Sequence, residues 1–165
     1  MTAESWTALA AFFALNFAAA SSGAVFRPGA WYETLRKPSW TPPNWAFPVV
    51  WTALFCANAV AGWLVWETAG SAAWPALALY TFSLLLNAAW SALFFGIKRM
   101  DWALIEVAFL WASIAAVMVA FAPINGWATA LIAPYLVWVT IAAQLNRRMM
   151  QLNAPVGASR AAAAE

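Results

Sequence analysis

The chain has no histidine, a single cysteine and few charged residues. Without histidine, a His-ligated haem or zinc site is not expected. Cys56 alone cannot form a disulfide within the chain, so it does not identify a redox compartment. Charged residues make up 8% of the 165 positions, where a soluble domain carries about 25%. So few charges cannot cover a water-facing surface, and the 65% of hydrophobic residues indicates an integral membrane protein.

Long apolar runs divide the chain at about residues 5–26, 46–66, 72–97, 102–122 and 126–146. Each can cross about 30 Å of hydrocarbon as a helix, and none alternates as a barrel strand would. The sequence therefore predicts an all-α fold: a membrane bundle of five transmembrane helices in residues 1–150, followed by a flexible tail at 151–165. A signal peptide is a weaker interpretation of the first run, because Glu4 and no Lys or Arg precede it.

The basic residues are concentrated in three segments outside the predicted spans. They are Arg27, Arg36 and Lys37 in the first loop, Lys98 and Arg99 in the third loop, and Arg147, Arg148 and Arg160 after the last span. Five spans place these segments on one side of the membrane, so the positive-inside rule predicts cytoplasmic basic loops and C-terminus, with the N-terminus opposite. The net charge of +2 is too small to suggest a nucleic-acid partner.

Aromatic and small polar residues share one face on three of the predicted helices. The faces are Trp51, Phe55, Asn58 and Gly62; then Tyr80, Leu84, Asn87, Ser91 and Phe94 with Trp90 one step round; then Tyr135, Trp138, Ala142 and Leu145. If they converge, they line an aromatic cavity suited to a large flat apolar ligand. The alternative is that the same stripes only pack a core, or that the tryptophans only mark the membrane interface.

Glu106 is the one candidate for an acidic group inside a span. It lies about one turn into the fourth run, near Asp101, and Lys98 and Arg99 are close in sequence. The favoured interpretation is an interfacial acid stabilised at a helix N-terminus. The alternative is a proton-coupling acid of a transporter.

The first loop, residues 27–45, is unusually rigid and aromatic. Its prolines Pro38, Pro42 and Pro43 constrain the backbone, and its tryptophans are too apolar for a loose hydrophilic connection. We expect a lid that covers the mouth of the bundle, with Arg27, Arg36 and Lys37 as candidate partners for ligand carboxylates. The alternative is an interfacial belt whose basic residues contact lipid phosphates.

Three ordered motifs resemble those of the translocator protein family, also called tryptophan-rich sensory proteins or peripheral-type benzodiazepine receptors. They are "WYETLRKPSWTPP" at 31–43 followed by Trp51 and Phe55, "NAAWSALFFG" at 87–96, and "PYLVWVTIAAQLN" at 134–146. The resemblance implies a five-helix bundle, commonly a homodimer, with a pocket beneath the first loop for porphyrins and drug-like ligands. Carried over residue by residue, the ligand-binding positions are Trp31, Tyr32, Trp40, Pro42, Pro43, Trp51, Phe55, Asn87, Trp90, Trp138, Ala142 and Leu145.

The sequence departs from the family's sterol-recognition pattern. That pattern needs a Lys or Arg within about six residues after a tyrosine, and no basic residue follows Tyr135 until Arg147. The departure puts high-affinity sterol binding in doubt and suits a bacterial member of the family.

The function that these observations favour is a membrane receptor, sensor or carrier that binds tetrapyrroles as ligands, with no obligatory cofactor and no metal. No acid–base dyad or nucleophile–base pair is evident, so no catalytic residue is predicted. One alternative is light-dependent porphyrin degradation with Trp51 and Trp138 as the reacting protein groups. Another is a small-molecule transporter that uses Glu106.

Overall fold

The structure is a computed structural model that describes residues 1–154, and within that range it contains helices and no strands. The five long helices are α1 (Ala3–Val25), α3 (Ala46–Ala69), α4 (Trp74–Ser91), α5 (Met100–Phe121) and α6 (Gly126–Leu152). A short helix, α2 (Ala30–Thr34), lies in the first loop and was not predicted. The all-α prediction is confirmed.

The helical runs that are long and apolar enough to cross a membrane are Ala3–Val25, Ala46–Gly96, Met100–Phe121 and Gly126–Leu152. The second run has 51 residues, but the chain reverses within it at Gly70, which has a φ of 53°. The Tyr80 hydroxyl donates a hydrogen bond of 3.0 Å to the carbonyl of Asn58, although a straight helix would place these residues about 33 Å apart. The run is therefore two antiparallel spans, α3 and α4, which agrees with the predicted bundle of five.

The five long helices form a closed ring. Helix α1 packs between α3 and α4, α5 packs between α4 and α6, and α6 closes the ring against α3. Lid residues, the end of α4 and the end of α6 contact one another, since Tyr32 packs on Phe94 and Arg36 bonds to Asn153. The first loop and the basic residues near the ends of α4 and α6 therefore lie at one end of the ring.

Two helix ends differ from the sequence prediction. Helix α6 continues past Asn146 to Leu152, so the first residues of the predicted tail are helical, whereas residues 155–165 lie outside the described part of the chain. Helix α4 ends in a π-type turn over Ala92–Gly96, in which the N–H of Ile97 donates to the carbonyl of Ala92 at 2.9 Å. Single π-type turns of this kind occur within α-helices and are frequent at functional sites.

The end of the ring away from the first loop has a tightly filled interior, which we call the closed half. It is defined by Phe12, Asn16, Asn58, Gly62 and Tyr80. A Cβ atom at Gly62 would lie 2.6 Å from the ring of Phe12, so only glycine fits at that crossing. The Tyr80 hydroxyl accepts a hydrogen bond from the Asn16 amide and donates to the backbone carbonyl of Asn58, so it links α1, α3 and α4. The side-chain oxygens of Asn16 and Asn58 have no partner in residues 1–154.

Candidate ligand-binding cavity

The end of the ring next to the first loop contains a cavity of about 670 Å³, and we call this end the cavity half. Small-molecule sites typically enclose about 300–1,000 Å³. No residue of α1 from Phe17 to Val25 is fully buried, so this stretch leaves space against the other helices. The rings that line the cavity come from the first loop and from four helices: Phe17, Phe26, Tyr32, Phe47, Trp51, Phe55, Trp90, Phe94, Phe95 and Trp138.

The lining rings are held by one another. Trp51 stacks on Phe55 with ring centroids 5.6 Å apart, and Trp90 stacks on Phe94 at 5.0 Å. Phe47 meets Trp138 edge to face at 5.9 Å. Offset stacking and edge-to-face contacts are the favoured arrangements of aromatic pairs. The cavity therefore offers a rigid apolar surface without needing a ligand to assemble it.

Two donors in the cavity wall have no hydrogen-bond partner among residues 1–154. They are the indole N–H groups of Trp90 and Trp138, and both are buried. Buried donors normally find an acceptor, so these two are exceptions, and because their nitrogen atoms are buried, an acceptor on a ligand reaches them only if the indole rings turn. Asn146 also lines the cavity, but its amide, oriented to satisfy both its groups, accepts from the N–H of Leu104 at 3.1 Å and donates to the carbonyl of Met100 at 3.2 Å.

The charged side chains that line the cavity lie at its mouth. Arg27 and Glu33 of the first loop both line it. Arg27 uses its Nε–H for the carbonyl of Ala24 at 2.8 Å and is otherwise exposed. A guanidinium has further N–H donors, so Arg27 can still pair with an anionic group.

Arg36 and Lys37, the other predicted carboxylate partners, do not line the cavity. The Lys37 ammonium lies 4.1 Å from the centroid of the Tyr32 ring and 3.4 Å from Oε2 of Glu33. Burial raises the pKa of the Tyr32 hydroxyl above its ordinary value, and the Glu33 carboxylate raises it further. The hydroxyl is therefore neutral at physiological pH, and Lys37 contacts a neutral ring.

Eight of the twelve carried-over positions line the cavity: Tyr32, Trp51, Phe55, Asn87, Trp90, Trp138, Ala142 and Leu145. The structure does not bring the other four to the lining. Trp31 packs on Phe94 with ring centroids 6.0 Å apart, Trp40 is 50% exposed, Pro42 is half-buried and Pro43 is exposed. The chain turns outward here, with the N–H of Thr41 bonded to the carbonyl of Pro38.

The sequence did not predict the contribution of α1 to the cavity, and it did not separate residues of one helical face by their depth in the bundle. Phe17 and Phe26 line the cavity, but α1 is apolar all round and shows no distinctive face. Gly96 is a sequence feature that could have indicated the position of Phe26, because a Cβ at residue 96 would lie 2.9 Å from the Phe26 ring. Asn58 and Gly62 share a helical face with Trp51 and yet belong to the closed half, since periodicity identifies a face but not a depth.

Glu106 does not lie at an exposed helix end. Its side chain is buried beside a groove between α4 and α5, and both carboxylate oxygens lack a hydrogen-bond partner in the described range. Asp101 is the acidic residue in the first turn of α5, where it pairs with Arg99 at 2.6 Å. Within residues 1–154, no group of three or more His, Cys, Asp or Glu side chains could hold a metal ion.

The sequence pattern of the TspO/MBR family matches residues 7–152, a range that takes in most of α1 and all of the other helices that surround the cavity. The chain belongs to the TspO/MBR family. It is 42% identical to a tryptophan-rich sensory protein of Cereibacter sphaeroides over 148 residues, which cover 90% of this chain and 92% of the relative. It is 36% identical to the protein CrtK of Rhodobacter capsulatus over 90% of this chain and 94% of that protein.

Similarity extends to an animal member of the family. The human translocator protein is 40% identical over 119 residues, which cover 70% of each chain. The family resemblance drawn from the three motifs is therefore confirmed.

Proposed function

We propose that this TspO/MBR protein is a membrane receptor or carrier that binds porphyrins and similar flat apolar ligands in the cavity half. The observation that carries the proposal is the enclosed volume of about 670 Å³ walled by rings that already stack on one another. A flat conjugated ligand gains both apolar burial and ring–ring contacts from such a wall. The names of the bacterial and animal relatives, a sensory protein and a translocator protein, fit a receptor or carrier.

The cavity also suggests how a porphyrin lies in it. The macrocycle occupies the space between Trp51 and Trp138, where the lining is apolar. Its carboxylates point to the mouth, because burying a charge without a partner is costly, and Arg27 lies there.

The charge distribution supports an orientation in the membrane. Seven basic residues of the described chain lie near the end of the ring that carries the first loop: Arg27, Arg36, Lys37, Lys98, Arg99, Arg147 and Arg148. By the positive-inside rule this end, and with it the mouth of the cavity, faces the cytoplasm. Cysteine labelling of the loop in closed vesicles tests this. The homodimer implied by the family stays a prediction, and light scattering of the solubilised protein checks it.

A titration with protoporphyrin in the dark tests the proposed function. Binding is expected to quench tryptophan fluorescence, and Trp51→Ala and Trp138→Ala are each expected to weaken it at least about ten-fold, because each removes a stacking surface. Trp127→Ala is the matched control on α6, since Trp127 is 80% exposed and lies outside the cavity. Unchanged affinity in both cavity variants would refute the assignment.

Two further experiments distinguish the proposed receptor or carrier from the two alternative functions, porphyrin degradation and transport. Illuminating the saturated complex and counting porphyrin molecules consumed per protein distinguishes catalytic degradation from a single damaging event. Flux of a fluorescent ligand into vesicles, compared between the wild type and Glu106→Gln, tests proton-coupled transport. A flux that stops in Glu106→Gln would favour a transporter over a receptor.

A further inference from the structure

A single side chain fastens the first loop to a helix that is distant in sequence. Asn153 Oδ1 accepts from the backbone N–H of Arg36 at 3.0 Å, and Asn153 Nδ2 donates to the backbone carbonyl of Arg36 at 3.0 Å. The two groups are 117 residues apart in the chain. Both hydrogen-bonding groups of one loop residue are thus paired with one amide, as they would be with a neighbouring strand.

Asn153 is itself held in place by α6. It is the C-cap residue of that helix, its backbone N–H donates to the carbonyl of Met149 at 3.1 Å, and its Nδ2 donates to the same carbonyl at 2.8 Å. Met149 lines the cavity. The amide therefore connects the loop directly to a residue of the cavity wall.

The loop has no other hydrogen bond of this kind in the described chain. Its remaining bonds are local, such as Thr41 to Pro38 and Thr34 to Trp31. Apolar contacts with Phe94, Leu145 and Met149 hold the segment around Tyr32. The loop supplies Arg27, Pro28, Tyr32, Glu33 and Asn44 to the mouth of the cavity, so its position decides whether the mouth is covered.

We propose that Asn153 is a latch: its amide holds the first loop over the mouth and sets how fast a bound ligand leaves. The proposal rests on the proposed function, since it concerns release from that same cavity. Asn153 is a positioning residue. Its amide bonds to the backbone of Arg36, so this contact does not need the Arg36 guanidinium.

Amide proton exchange measured by NMR tests the latch without any ligand. In Asn153→Ala the Arg36 amide loses its acceptor, and its exchange is expected to accelerate about ten-fold. Asn125→Ala is the matched control, because Asn125 caps the opposite end of α6 through the N–H groups of Trp127 and Ala128. Unchanged Arg36 exchange in Asn153→Ala, or an equal rise in Asn125→Ala, would overturn the latch.

Porphyrin release measured by stopped-flow displacement tests the consequence. Asn153→Ala is expected to release protoporphyrin about ten-fold faster than the wild type, with Asn125→Ala unchanged. Faster Arg36 exchange with an unchanged release rate would overturn the role in release. Failure of the wild type to bind porphyrin would refute the proposed function, while the exchange experiment would still decide whether the amide holds the loop.

A backbone variant keeps the test independent of folding at the end of α6. Leu35 has φ −70° and ψ 139°, which a following proline tolerates. Arg36→Pro removes the backbone N–H that donates to Oδ1 of Asn153, whereas Arg36→Ala removes only the guanidinium side chain. Release is expected to be faster in Arg36→Pro than in Arg36→Ala. Equal rates in the two variants would contradict the latch.

Discussion

The closed half and the cavity half are built from the same ring of helices, but their interiors are filled differently. In the closed half, Gly62 lets α1 approach α3, and the Tyr80 hydroxyl joins Asn16 to Asn58. In the cavity half, bulky rings from several helices meet, and the indole donors of Trp90 and Trp138 are left without partners among the described residues. Close helix approach at a small residue fills the interior of the closed half, whereas large rings that pack on one another leave space for a ligand in the cavity half.

Substituting Gly62 is expected to have the largest effect on this contrast. Gly62→Leu forces a side chain into a space where even a Cβ would meet Phe12 at 2.6 Å. We expect a loss of about 3 kcal/mol in the free energy of unfolding, because overpacking a dense interior strains its neighbours. Thermal unfolding in detergent measures it.

Gly23→Ala is the control for that prediction, since a Cβ at Gly23 meets nothing within 4 Å. Alanine favours the helix over glycine, so its stability should equal or exceed that of the wild type. Similar losses at Gly62 and Gly23 would show that the two halves are not packed differently.

Tyr80→Phe is expected to cost about 1–3 kcal/mol of unfolding free energy. The change keeps the ring but leaves the amide of Asn16 and the carbonyl of Asn58 without the hydroxyl that joins them. Denaturation in mixed micelles measures the loss. Porphyrin affinity should stay at the wild-type value, because Tyr80 does not line the cavity. A weakened affinity with unchanged stability would contradict the assignment of Tyr80 to the closed half.

Trp90→Phe sharpens the comparison from the other side. It removes a donor that has no protein partner in residues 1–154, so it should cost less unfolding free energy than Tyr80→Phe. Porphyrin affinity is expected to fall by no more than about three-fold, because the phenyl ring keeps most of the apolar surface that the indole presents to the cavity. If Trp90→Phe destabilised the protein more than Tyr80→Phe, the Trp90 indole would be a packing element of the fold rather than only a wall of the cavity.

The smallest effect is expected at the outer end of the closed half. The Ser5 hydroxyl donates to Oε2 of Glu67 at 2.9 Å and accepts from the indole of Trp63 at 3.3 Å. Because Glu67 is exposed, Glu67→Gln should change the unfolding free energy by less than about 1 kcal/mol. A larger loss in the same denaturation assay would mean that this rim, and not the Gly62 crossing, holds α1 in place.

The number of long, membrane-spanning helices could be predicted from the sequence because lipid requires every backbone group to be paired within its own segment. The ends of these helices could not be predicted, because hydropathy indicates which residues contact lipid and does not indicate where a helix ends. Arg147 and Arg148 ended the predicted span, yet α6 continues through them to Leu152. The five-residue helix α2 is held by contacts of Tyr32 that only the folded chain supplies.

The candidate site was predictable where a motif and a helical face agreed, as at Trp51 and Trp138. It was not predictable where the depth along a helix or the path of a loop decides the outcome. Asn58 follows Trp51 on one face and lies in the other half. Trp40 belongs to the strongest motif and is 50% exposed, because the loop turns outward beyond Pro38.

Ligand-induced shifts of the indole N–H signals test the central claim most directly. The chain has 13 tryptophans, and a bound porphyrin shifts nearby protons strongly through its ring current. The account predicts large shifts for Trp51, Trp90 and Trp138 of the cavity half. It predicts none for Trp63 at the closed end or for the outward-facing Trp127. Shifts at Trp63 or Trp127 with unmoved cavity indoles would contradict it.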